Sequence, residues 1–175
     1  VEKRYRREVE GRIDLSKVAA LARGGPRRQD SVYQGLLAFS SPPRIVLIHD
    51  GDRPFIAPDL IEKVIEHASR GGAMVAVPSK DTIKWSEGGC VKKTLDRSRV
   101  WLAQTPQGFP YEEILAAHRE AREEKRQVTD DASLMEEKGI KILIIPGSYD
   151  NIKITTPEDI ELARAIYRRR NKTAD

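Results

Sequence analysis

A chain of 175 residues, 39% hydrophobic and 33% charged, is long enough for one domain with its own core. No apolar run approaches the roughly 18 residues that cross a bilayer, and no secretory signal is visible, so a membrane partner is not expected. The net charge of +4 suits anionic partners. The densest basic run (Arg168, Arg169, Arg170, Lys172) lacks interleaved aromatics, however, and argues against nucleic acid.

In chain order, residues 1–11 read as a charged helix, and "KVAALARGG" reads as a short strand reaching a glycine turn. "DSVYQGLLAF" carries Val32, Leu36 and Phe39 at helical spacing, with Asp30 or Ser31 as cap. "RIVLI" is too short and too β-branched for a helix and predicts a strand buried on both faces. "APDLIEKVIEHASRGG" predicts a helix with Leu60, Val64 and Ala68 inside and a Gly-Gly stop, followed by the strand "AMVAVP". Residues 79–104 break this alternation with two β-like stretches around "EGG", a hairpin insertion. Two helices ("PYEEILAAHREAREEK", "DDASLMEEKG"), the strand "IKILIIPG", a short strand "NIKIT" and a closing helix "TPEDIELARAIYRRR" complete the chain. Strands alternating with helices predict an α/β domain over residues 1–175. Its sheet is expected to be Rossmann-like and mostly parallel, with helices on both faces.

Ligands of such sheets bind at the carboxyl ends of the strands, and three polar clusters fall there. "GGPRRQDSV" joins a glycine turn, two arginines and a helix start, a combination suited to phosphate or a polar base edge. In "HDGDRPF", Asp50 and Asp52 could hold Mg2+, and Arg53 offers a planar fork for phosphate. "YDNIKITTPED" places Lys153 on a short strand, where its ammonium can pair with a phosphate. Thr129, just before two acids, reads by itself as a helix cap. His67 and His118 read as surface residues of helices. The three histidines show no metal-ligand spacing, and the single Cys90 fits a reducing, cytoplasmic setting.

Taken in order, "GGPRRQDSV", "HDGDRPF", "VPSKDTIK", "DRSRVWLAQTPQGF", "VTDDASLMEEKG" and "NIKITTPEDIELA" resemble the 2-C-methyl-D-erythritol 4-phosphate cytidylyltransferases. "QTPQGF" and "NIKITTPED" are the most specific of these. The resemblance covers the chain from Gly24 onward. It implies cytidylyl transfer from CTP to methylerythritol phosphate, with Mg2+ as cofactor and pyrophosphate as second product. By position, it implies that Gly25 and Ser31 contact the cytidine part and that Asp50 sits between nucleotide and substrate. Arg53, Thr105, Thr129 and Lys153 are expected around the methylerythritol phosphate, with Lys153 placing the attacking group. The 79–104 insertion becomes an arm that embraces a second subunit, so that Thr82 and Arg97 complete the partner's site in a homodimer. Lys153, Arg97 and Asp50 are then the expected catalytic residues, with Asp50 as metal contact.

The family also implies a preceding strand, a glycine-rich loop with an arginine and a lysine, a helix and a second strand. No stretch of this sequence matches them. The resulting expectation is a domain short of its N-terminal segment and impaired in catalysis if nothing supplies it. Pro26 stands in place of the family's usual aspartate, and Asp52 in place of a small residue. The alternatives are a ribitol 5-phosphate cytidylyltransferase and an impaired chain that dimerises and binds ligand weakly.

Overall fold

A computed structural model describes residues 16–172. The helix expected over residues 1–11 lies outside them. Four strands form one sheet in the order β1-β5-β2-β6: β1 (Ile45–Ile48), β5 (Trp101–Pro110), β2 (Ala73–Pro78) and β6 (Leu143–Pro146). β1 and β2 both pair antiparallel with β5, and β2 pairs parallel with β6. Three strands therefore point one way, and the longest, β5, runs against them between β1 and β2.

Side chains alternate across each strand and divide the core in two. Val46, Ile48, Met74, Ala76 and Phe109 face one layer. That layer consists of α1 (Arg28–Leu37), α3 (Tyr111–Glu123) and α4 (Asp131–Glu137). Ala73, Val75 and Ile145 face the other, where Leu60 and Val64 of α2 (Pro58–Ala68) pack. α5 (Pro157–Lys172) follows, with Ile166 as its buried anchor. The expected α/β class with helices on both faces is found.

Four expectations need correction. Residues 17–25 form no strand, because Gly25 N–H donates to Ser31 Oγ at 3.0 Å and turns the chain into α1. "NIKIT" is not a strand either: Ile154 N–H donates to the Asp52 carbonyl at 2.9 Å, tying the segment to a loop instead of a ladder. α1 begins at Arg28, earlier than the Asp30 or Ser31 cap implied. Asp30 lies in its first turn, paired with Arg27 at 2.8 Å, where a carboxylate favours the positive helix end. The arm ends sooner than residue 104. Ser79 N–H bonds the Val100 carbonyl at 2.9 Å, closing the arm's base, and β5 then runs into the core with Gln104–Phe109 buried.

The hairpin itself was legible from "EGG". β3 (Lys84–Glu87) and β4 (Cys90–Thr94) are antiparallel with Glu87 opposite Cys90, leaving a two-residue loop. Both loop residues, Gly88 and Gly89, take positive φ (57° and 78°), which a tight hairpin turn of this hand demands. Every residue of both strands is exposed.

Candidate active site

β1 carries the chain from the core directly into residues 49–53. The loop is fastened from β5. Thr105 Oγ1 accepts from Asp50 N–H at 3.0 Å and lies 2.9 Å from His49 Nδ1. The other imidazole nitrogen, His49 Nε2, lies 3.0 Å from the Arg53 carbonyl, which can only accept. Nε2 therefore carries the proton in the neutral ring, and the Thr105 hydroxyl donates to Nδ1. Thr105 is 4% exposed, so its hydroxyl orders the loop from within.

The Asp50 carboxylate, 11% exposed, is the hub. Arg28 Nε donates to Oδ1 at 2.9 Å. Arg53 Nε and Lys153 Nζ reach Oδ2 at 3.3 and 3.2 Å. Burial by itself would raise the Asp50 carboxyl, but the Arg28 and Lys153 contacts outweigh it and hold its pKa below the ordinary range. Asp50 is accordingly an anion at neutral pH, facing three cations.

Each cation is held from a second side. Arg53 Nη1 donates to the Asn151 carbonyl at 2.8 Å, and buried Asn151 is fixed by Nδ2 bonds to Gln104 Oε1 and the Thr105 carbonyl. Arg28 Nη1 donates to Asp131 Oδ2 at 2.7 Å. Lys153 lies 3.9 Å from Asp52, which places that extra acid beside the cage. A cleft of about 540 Å³ opens here, with Arg28, Ser31, His49 and Asp50 at its polar end and Leu36, Phe39, Val46 and Ile48 along its apolar side.

Gly25 approaches α1 so closely that a Cβ would lie 2.4 Å from Asp30 Cβ, so the position has no room for a side chain. Its N–H and the Arg27 carbonyl both engage Ser31 Oγ, leaving that hydroxyl one lone pair for a ligand.

The structure thus brings together Asp50, Arg53, Thr105 and Lys153, and Ser31 lines the cleft that Asp50 also lines. Thr129 is exposed and does not cap; Asp130 caps α4 by accepting from Ser133 N–H at 3.2 Å. Thr82 and Arg97 stand on the exposed arm, where Arg97 Nη1 bonds the Lys80 carbonyl at 2.9 Å. Arg28, Asp131 and Asn151 were not singled out as site residues. His118 was read as surface, yet it is 1% exposed and lies 3.0 Å from Asp131. The stripe Tyr111, Ile114, Leu115, His118, Ala121 could have found it, since His118 sits on the apolar face at helical spacing.

Asp50 does not fit as the anchor of a metal ion, because both its oxygens already face fixed cations. Among the described residues, no three acidic, histidine or cysteine side chains converge. Nor is any helix among them long and apolar enough to cross a membrane.

Comparison with known proteins shows the family. Residues 1–169 match the family model described as 2-C-methyl-D-erythritol 4-phosphate cytidylyltransferase. The chain is 48% identical to the enzyme of that name from Pelotomaculum thermopropionicum over 171 residues, 97% of this chain and 72% of that protein. It is 51% identical to the one from Syntrophotalea carbinolica over 163 residues, 92% and 70% of the two chains. The crystal structure of 4-diphosphocytidyl-2C-methyl-D-erythritol synthase from Anaerococcus prevotii superposes with a TM-score of 0.87 at 33% identity, covering 95% of this chain and 76% of that one.

Proposed function

This chain belongs to the 2-C-methyl-D-erythritol 4-phosphate cytidylyltransferase family, and from that premise we propose how its cleft transfers a cytidylyl group. The reaction is CTP-dependent cytidylyl transfer in isoprenoid precursor biosynthesis. The observation that carries the site assignment is the Asp50 carboxylate held by Arg28, Arg53 and Lys153.

A phosphate oxygen of 2-C-methyl-D-erythritol 4-phosphate attacks the α-phosphorus of CTP. The new P–O bond forms as the bond to the bridging oxygen breaks, and pyrophosphate leaves. The attacking phosphate monoester is already an anion at neutral pH, so no general base is required. Catalysis is positioning and charge stabilisation. Lys153 and Arg53 hold the attacking phosphate, while Asp50 keeps both cations in place and accepts from hydroxyls of the polyol. Thr105 serves the substrate through the Asp50 loop, and the exposed Thr129 contacts the polyol on this reading.

The Gly25–Ser31 turn meets the cytidine part, the free lone pair of Ser31 accepting from an N–H of the base. Asp50, already facing three cations, would leave a divalent cation to the nucleotide, where Mg2+ would neutralise triphosphate charge. Thr82 and Arg97 act in the partner's cleft of a cytoplasmic homodimer. In support of that assembly, the arm and its base expose Trp85, Val91, Trp101 and Leu102.

The test is pyrophosphate release from CTP with methylerythritol phosphate, using ribitol 5-phosphate as the control acceptor. Strong preference for methylerythritol phosphate supports the reading; equal or greater turnover of ribitol 5-phosphate overturns it.

A further inference from the structure

His118 is the one buried histidine of the described residues and touches no part of the cleft directly. Its Nε2 lies 3.0 Å from Asp131 Oδ1, whereas its Nδ1 is buried with no partner among the described residues. Packing alone does not account for an imidazole here. A leucine would fill this helix stripe without an unpartnered nitrogen, which is costly to bury. The ring's whole polar role is directed at Asp131.

Asp131 is 1% exposed, and its two oxygens point opposite ways: Oδ1 to His118, Oδ2 to Arg28 Nη1 at 2.7 Å. Its backbone is fixed separately, since Gln107 Oε1 accepts from the N–H groups of Asp131 and Ala132 at 3.2 and 3.0 Å. What remains free is rotation of the carboxylate about its own bonds. The His118 contact blocks that rotation. Arg28, 30% exposed, is otherwise open to competition from water. With Oδ2 held still, its fork spans the two acids, Nη1 on Asp131 and Nε on Asp50 at 2.9 Å.

We propose that His118 is a positioning residue for the transfer reaction: through Asp131 it fixes the Arg28 guanidinium that grips Asp50. This rests on the reading of the cleft given above. The line His118–Asp131–Arg28–Asp50 joins the buried face of α3 to the C-terminal end of β1.

The experiment compares His118→Gln, His118→Asn and His118→Met in the intact protein. Gln places its amide N–H where Nε2 stands; Asn is equally polar but places it at the Nδ1 position; Met fills the space without a donor. Each is followed by pyrophosphate release, by melting, and by the ¹⁵N resonance of the Arg28 Nε–H, identified by its loss in Arg28→Lys. The Gln variant should keep kcat/KM within about 2-fold and retain the Arg28 signal. The Asn and Met variants should lose about 10-fold or more, the rate equivalent of ~1.4 kcal/mol, and the Arg28 signal should collapse into solvent exchange. If Met does not fold, the Gln–Asn pair decides. A folded Met variant with wild-type turnover and an intact Arg28 signal overturns the proposal, as does a folded Gln variant as impaired as Asn. Should the wild type itself release no pyrophosphate, the functional reading fails, while the Arg28 resonance still tests the His118 relay.

Discussion

Replacing Asp50 by asparagine removes one negative charge and almost no volume, and it strikes the centre of the cation cage. In the wild type, one carboxylate takes Arg28, Arg53 and Lys153 at 2.9–3.3 Å. Asparagine keeps one acceptor oxygen and turns an NH2 group toward cations that cannot accept. Like charges on the order of 5 Å apart repel by about 3 kcal/mol at an effective dielectric of 20, which sets the scale for the cations left around a neutral residue 50. Lys153 and Arg28 are 38% and 30% exposed, so solvent and rotation relieve much of that, leaving a net loss of about 2 kcal/mol. For a domain of this size, that corresponds to a fall in Tm of about 4–8 °C. Turnover suffers more, because Lys153 and Arg53 lose the group that aims them; a fall in kcat/KM of about 100-fold is expected. Thermal melting by circular dichroism and a coupled pyrophosphate assay read the two effects. An Asp50→Asn protein with unchanged Tm and turnover within about 3-fold of wild type would refute the cage as the organising element.

Other consequences are as direct. Gly25→Ala drives a methyl into the Asp30 side chain and backbone, so the KM for CTP should rise by about 5-fold or more while the rest of the sheet keeps its amide-exchange protection. Asp159 accepts from the Thr155 and Thr156 N–H groups ahead of α5, backbone contacts that lower its pKa below the ordinary 3.8. A depressed carboxyl contributes stability that is complete above 3.8 and lost as pH falls through its folded value. Asp159→Ala should therefore destabilise at neutral pH and narrow its deficit against wild type as acid is added, measured by urea melts across pH. Trp85→Glu with Val91→Asp on the arm should shift the sedimentation coefficient from dimer to monomer and lower turnover if Arg97 acts across the interface.

Much of this layout could be read from local sequence. "RIVLI" and "AMVAVP" announce strands through β-branched runs, and "EGG" announces a hairpin through glycines that tolerate positive φ. β5 escaped because "AQTPQGFP" combines polar residues with two prolines and reads as loop. Its polarity is instead satisfied at long range: Gln104 by the Ser148 carbonyl and Asn151, Gln107 by the start of α4. The same distance hid the site's inner half. Asp50, Arg53 and Lys153 declare themselves as polar residues at strand ends. Asp131 and Arg28 meet only when α1 and α4 pack on one face of the sheet, 103 residues apart in sequence. "NIKIT" failed in the opposite sense. Its alternation is that of a strand, but the Ile154 N–H turns to the Asp52 carbonyl and the Thr155 N–H to the Asp159 carboxylate, partners that no strand pattern reveals.

The central claim is that Lys153, held at 3.2 Å from Asp50, places the attacking phosphate in this cleft. It is tested most directly by steady-state pyrophosphate release from CTP and methylerythritol phosphate, comparing wild type with Lys153→Met. The wild type should show acceptor-dependent release, and the folded variant should lose about 100-fold or more. Wild-type turnover in the Lys153→Met protein would contradict it.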